Sequence, residues 1–188
     1  MCQLEAVLNQ LVGVREQLTD EEAITGLMRQ LLDTVQPLDV NAAAAELLLP
    51  SLPGIYYIEA IFPFVNYEEL VDFGDRWGRI RAREIEFKIP RFYPNRAIHH
   101  REALARREPI PFYLGKREII SDRVFNHLGC DLVSPTYALK LRARPELIEG
   151  VALSYSYRAF DVPLSAYYGV EIIESELRKV LNPILGKQ

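Results

Sequence analysis

The sequence predicts an α+β fold in which a small sheet is flanked by helices, and three patterns carry that expectation. Apolar residues recur at helical spacing near both ends of the chain. Between residues 52 and 158 several short stretches are β-branched or aromatic and alternating, and prolines and glycines mark their boundaries. The 188 residues, 49% of them apolar, are enough for one compact domain with a sizeable core.

Leu4, Val7, Leu8, Leu11, Val12 and Leu18 trace a first helix over residues 3 to 18. Thr19 followed by Glu22 reads as a capping box for a second, whose stripe is Ile24, Leu27, Met28, Leu31, Leu32 and Val35. Pro37 ends it, and Asp39 or Asn41 can cap a third short helix over Ala42 to Leu49, stopped by Pro50. Residues 1–50 thus form a helical extension with an acidic outer face. Leu52 to Ala60 is then a strand buried on both faces, with Tyr56 in its middle. Tyr67 to Phe73 predicts a helical turn broken by Gly74 and Gly78, Arg79 to Ile89 a strand with one charged face, and Ala97 to Arg107 a short basic helix. His99 and His100 would face different ways on that helix, so an exposed pair is expected rather than a metal site. Ala138 to Arg144 and Val151 to Arg158 alternate as two further strands, and a last helix runs from about Asp161 to Leu181.

Charge is unevenly spread. Residues 1–75 hold 13 acidic and 2 basic side chains, residues 76–107 hold 3 and 10, and the remainder holds 10 of each, for a net −4. The basic block points to an anionic partner, nucleic acid first, or to an internal match with the acidic N-terminal region. Cys2 and Cys130 show no CxxC spacing and no secretory leader precedes the helices, so free thiols in a reducing cytoplasm are expected. The longest uncharged run, Leu47 to Ile58, contains two prolines and is shorter than the roughly 18 to 20 residues of a membrane span.

The stretch Pro111 to Gly129 gathers the chemistry-bearing residues. Tyr113 would end a short apolar strand, Gly115 would let the backbone turn, and the following helix would carry Arg123 and His127 four residues apart on one face. In the last helix the stripe of Val170, Ile173, Leu177, Val180 and Leu181 has Glu174 at its margin, with Glu171 and Glu176 further out toward solvent. A carboxylate aimed at the core needs a metal, an arginine or a hydrogen-bond network.

Taken together these residues resemble the GIY-YIG nuclease family. Its two tripeptides correspond to Gly54-Ile55-Tyr56, preceded by Pro53, and Tyr113-Leu114-Gly115. Family members often continue with a lysine, then an arginine ten residues beyond the second tyrosine and a histidine or tyrosine four residues later, and Lys116, Arg123 and His127 stand at those spacings. A family glutamate nine residues before a proline matches Glu174 and Pro183. Two features depart from the pattern: some 56 residues separate Tyr56 from Tyr113, and Gly186 stands where many members have asparagine. The resemblance implies a small, mainly antiparallel sheet, a domain over 51–188, backbone turns at Gly54 and Gly115, and a basic insertion at about 61–110 between the first two core strands.

It also implies a metal-dependent endonuclease, of restriction type, that hydrolyses phosphodiester bonds of double-stranded DNA. Glu174 would hold one Mg²⁺ or Mn²⁺ per active site, Arg123 would neutralise phosphate oxygens, and Tyr113 would orient or deprotonate the attacking water with Tyr56, His127 and Lys116 in support. Arg79, Arg81, Arg83, Lys88, Arg91, Arg96, Arg101, Arg106 and Arg107 would grip the backbone, and cleavage of both strands would favour a homodimer. The alternative is a non-catalytic nucleic-acid-binding or protein-interaction module on the same scaffold.

Overall fold

The computed structural model describes residues 3–47, 49–79, 88–129 and 137–186. Helices α1 (Gln3–Leu18) and α2 (Glu21–Asp33) form where their apolar stripes predict them. Their junction differs from expectation. Asp20, not Thr19, caps α2 by accepting from the Ala23 N–H at 2.9 Å, while the Thr19 hydroxyl donates back to the Arg15 carbonyl. An ionised carboxylate makes the stronger bond to amides at a helix N-terminus. Past α2 comes strand β1 (Gln36–Pro37), and the expected third helix shrinks to a 3₁₀ turn at Ala44–Leu47.

Strand β2 (Gly54–Ile61) matches its sequence pattern and lies inside the sheet. Helix α3 (Tyr67–Arg79) does not break at Gly74 or Gly78, because Gly74 serves packing: the Phe92 ring fills the space its missing side chain leaves. The expected strand over Arg79 to Ile89 falls mostly on residues 80–87, outside the described residues, and takes Arg81 and Arg83 with it. Strand β3 (Arg91–Phe92) is followed by α4 (Pro94–Ala97), a 3₁₀ turn at Ile98–His100, and α5 (Arg101–Ala105), so the basic helix is a broken helical run. Strand β4 (Ile110–Arg117) continues through both Tyr113 and Gly115 where a turn was expected, and α6 (Ile120–Leu128) follows.

Ala138 to Arg144 is not a strand. Lys140 adopts a left-handed conformation, residues Leu141–Ala143 form a 3₁₀ turn, and α7 (Pro145–Ile148) follows. The alternating residues serve a turn instead: Arg142 donates to the carbonyls of Val40 and Ala42, Arg144 donates to that of Leu139, and Leu139 and Leu141 fill the core. Strand β5 (Ala152–Ala159), helix α8 (Tyr167–Leu181) and strand β6 (Leu185–Gly186) complete the described chain.

The result is an α+β architecture built on a six-stranded sheet in the order β1-β5-β2-β4-β6-β3, mixed because β4 and β6 run parallel while the other neighbours are antiparallel. Alternation along β2 divides the core. Tyr56, Ile58 and Ala60 pack with Phe73 and Trp77 of α3 and Val124 and Leu128 of α6, whereas Ile55 and Tyr57 pack with α2 and α8. A bulge opposite Ile58 and Glu59 makes Phe112 an extra residue in β4, so Phe112 and Tyr113 both join the α3–α6 side. Among the described residues no helix is long and apolar enough to cross a membrane.

The two glycines of α3 provide a paired stability test. A Cβ at Gly74 would stand 2.1 Å from Phe92 Cδ1, so Gly74→Ala is expected to cost about 1–3 kcal/mol in urea denaturation. Gly78 faces open space, so Gly78→Ala is expected to add about 0.4–1 kcal/mol.

Candidate active site

Four of the six catalytic candidates meet on the face of the sheet covered by α6. Tyr56, 1% exposed, projects from β2 directly across from Gly115 of β4. The backbone at Gly115 is an ordinary strand without positive φ, so the expected turn is absent and the reason for glycine is space: a Cβ there would lie 2.2 Å from the Tyr56 hydroxyl oxygen. Gly54 is likewise a strand residue, where a Cβ would meet the Arg158 carbonyl oxygen at 2.2 Å and Ile120 Cδ1 at 2.5 Å. Tyr113 lies beside Tyr56 with its ring stacked at 6.0 Å, because it shares the face of Gly115 two residues along β4 and pairs with Ile58.

Helix α6 supplies the other two side chains from successive turns of one face. His127 is fully buried, and its Nδ1 accepts the Leu139 backbone N–H at 3.0 Å. An acceptor at Nδ1 fixes the tautomer, so the proton sits on Nε2 and is donated to the Tyr56 hydroxyl oxygen at 2.9 Å. Burial, with Arg123 adding to it, holds the His127 pKa well below its usual value and keeps the ring neutral. Arg123 Nε donates to the same oxygen at 3.2 Å, and its Nη2 donates to the Tyr137 carbonyl. With two bonds accepted, the Tyr56 hydroxyl has its own proton left to give, and the Tyr113 ring lies beside it. Burial above all, then Tyr113, pushes the Tyr56 pKa well above 10, against the pull of Arg123. Tyr56 is therefore a neutral hub for donors from α6, with Tyr113, itself 5% exposed, stacked beside it.

The two remaining candidates occupy different surroundings. Lys116 alternates to the opposite face, where its Nζ pairs with Glu171 at 2.8 Å. Glu174, 4% exposed, projects from α8, which packs on that same opposite face, and it pairs with Arg178 one turn along. No sequence signal marked Glu171 or Arg178 as those partners, and the bonds from Leu139 and Tyr137 come from backbone groups that any residue carries. Among the described residues no group of three or more His, Cys, Asp or Glu side chains converges on one point. Magnesium is nonetheless often held by one or two carboxylates together with waters and substrate phosphates, and Glu174 offers one such oxygen donor.

Within the basic segment Arg79, Lys88, Arg91, Arg101, Arg106 and Arg107 are exposed, and Arg106 pairs with Glu108 at 2.9 Å. Arg96 is half-buried. His100 departs from the expected exposed pair: its Nε2 lies 2.9 Å from the Asn182 carbonyl, and burial lowers its pKa. No family model, curated protein or solved structure matches the chain.

The histidine tautomer has a measurable consequence. Nitrogen-detected NMR at neutral pH is expected to show His127 as the neutral Nε2–H form. Because its folded pKa lies below the unfolded value of about 6.5, the unfolded chain takes up a proton first, and stability is expected to fall as pH drops below that point. The wild type should lose about 1.4 kcal/mol per pH unit more than His127→Gln does over that window, and equal slopes would remove the buried neutral ring.

Proposed function

We propose that the protein is a metal-dependent endonuclease that hydrolyses phosphodiester bonds in double-stranded DNA, of restriction type and acting as a homodimer. The observation that carries this reading is the hydrogen-bonded cluster at the buried Tyr56 hydroxyl, to which His127 and Arg123 both donate and beside which the Tyr113 ring stacks. Phosphodiester hydrolysis needs a group that orients water, a fixed positive charge near the phosphate, and a stabilised leaving oxygen. Tyr113 hydrogen-bonds the attacking water and holds it in line. Tyr56, kept neutral and fixed by His127, braces the Tyr113 ring stacked beside it. Arg123 remains charged and faces the nonbridging oxygens. A divalent cation, Mg²⁺ or Mn²⁺, with Glu174 as its protein ligand would supply charge screening at the phosphate and the leaving oxygen. The exposed arginines of the insertion then hold the flanking backbone.

The Lys116–Glu171 and Glu174–Arg178 pairs favour a second reading, a nucleic-acid-binding module without catalysis, because both side chains are already satisfied. Purified protein incubated with supercoiled plasmid and Mg²⁺ separates the two. Nicking or discrete fragments are expected, reduced about 10²–10³-fold by Arg123→Gln and abolished by Glu174→Gln with DNA binding retained. Binding at low salt without cleavage under any divalent metal would leave the second reading. Separately, Arg91→Gln combined with Arg101→Gln is expected to lower the slope of log affinity against log salt by about 0.9 for each phosphate no longer neutralised. An unchanged slope would take these two arginines off the DNA-facing surface.

A further inference from the structure

The C-terminal half of α8 holds a second group of polar side chains that the tyrosine cluster does not use. Arg178 engages Glu174 through Nη2 alone, and its Nε–H, on the adjoining edge of the guanidinium, is closed from water without an acceptor. Arg96 reaches the same neighbourhood from the insertion. Its guanidinium lies 4.2 Å over the Tyr93 ring, and its Nη1 is 3.5 Å from the Pro183 carbonyl. That nitrogen also fills the space opened by Gly186, where a Cβ would stand 3.1 Å from it. The Tyr93 hydroxyl is buried and unbonded as well.

Charge is out of balance here. Arg96 and Arg178 share one carboxylate, since Glu171 is taken by Lys116 and Glu176 by Lys179. Burial lowers the Arg96 pKa, and the nearby Arg178 charge lowers it further against the pull of Tyr93 and Glu174. His100, bonded to the Asn182 carbonyl, is held toward its neutral form. One positive charge and several directed donors are therefore left for an incoming anion. Arg178, 26% exposed, and the half-buried Arg96 leave it a route in. Planar guanidinium edges match a tetrahedral oxyanion with two oxygens to offer, as a phosphate has.

We propose that Arg96, Arg178 and Tyr93 form a phosphate-binding subsite beside Glu174 that takes a phosphodiester of a nucleic-acid backbone. The backbone as the source of the phosphate rests on the nuclease reading; the recognition of phosphate does not. A role limited to bracing the end of α8 makes different demands, and Tyr93→Phe tells them apart. Removing an unbonded buried hydroxyl should raise stability in either case, but only a subsite loses phosphate affinity with it.

The experiment follows inorganic phosphate by calorimetry and thermal unfolding, against chloride at matched ionic strength, in the wild type, Arg96→Gln, Arg96→Lys, Arg178→Gln and Tyr93→Phe. Phosphate is expected to raise the wild-type midpoint above the chloride control. Each glutamine variant should bind it about tenfold or more weakly, and Arg96→Lys should recover only part of the loss. A response no greater than chloride, or equal responses in wild type and both glutamine variants, overturns the subsite. A short DNA duplex bound in EDTA identifies the source of the phosphate. Weaker duplex binding by Arg96→Gln than by the wild type supports the backbone assignment, and unchanged duplex affinity overturns it. Arg123→Gln is expected to lose cleavage while keeping the phosphate response. A wild type that never cleaves DNA yet needs Arg96 for phosphate leaves the subsite standing and removes the nuclease reading.

Discussion

A buried phenol that accepts two hydrogen bonds forces its neighbours to agree on where every proton lies, and the surroundings of Tyr56 satisfy that demand. The Leu139 amide occupies one nitrogen of His127, so the other must donate. Arg123 can only donate. The hydroxyl between them then has only its own proton left to give. Each step is imposed by the one before it, starting from a backbone N–H in the segment after α6. An unpaired donor in so dry a place would cost about 1–3 kcal/mol, so the network cannot be reversed one member at a time.

The same hydroxyl constrains the backbone around it. Gly115 must lack a side chain because the phenol tip occupies its place, and simple alternation from Gly115 brings Tyr113 beside Tyr56. The bulge at Phe112 then puts a second ring on that same side without turning the rest of the strand over, since Leu114 still faces α2 and α8. It also gives Phe112 to the aromatic group of Phe62, Phe73 and Trp77. An irregularity that would weaken a plain sheet here extends an aromatic core up to the paired tyrosines.

Much of this could be read from the residues, and what could not has physical causes. The helices of the first 33 residues, the buried strand at Tyr56 and the pairing of Arg123 with His127 on one helical face follow from periodicity, which records burial directly. Gly115 and Gly74 were legible as glycines but not as vacancies, because sequence shows a missing side chain without showing what moves into its place. Ala138 to Arg144 imitates a strand by alternating in residue type, yet the turn buries Ala138 through Leu141 together, Lys140 included, and its arginines reach carbonyls. The position of Glu174 at the edge of an apolar stripe was visible. Its engagement by Arg178 was not distinguishable from solvent exposure, because an i to i+4 pair forms equally well on an outer face.

Counting charges along the chain also gives arginines equal weight, and the fold does not. Arg144 is buried against the Trp77 ring at 3.7 Å, and burial lowers its pKa to about 9. Arg142 is spent on the carbonyls of Val40 and Ala42, so neither projects much field. Arg79, Arg91, Arg101 and Arg107 stand in solvent, where their attraction for an anion is long-ranged but screened within about 8–10 Å at physiological salt. Arg96 and Arg123 lie between these extremes. Their surroundings are dry enough to strengthen a contact and open enough to receive one, so their action is short-ranged, directional and less sensitive to salt. Under the nuclease proposal a polyanion drawn in by the first group would be oriented by the second, and the two tasks would fall to arginines that the fold has withdrawn from water to different depths.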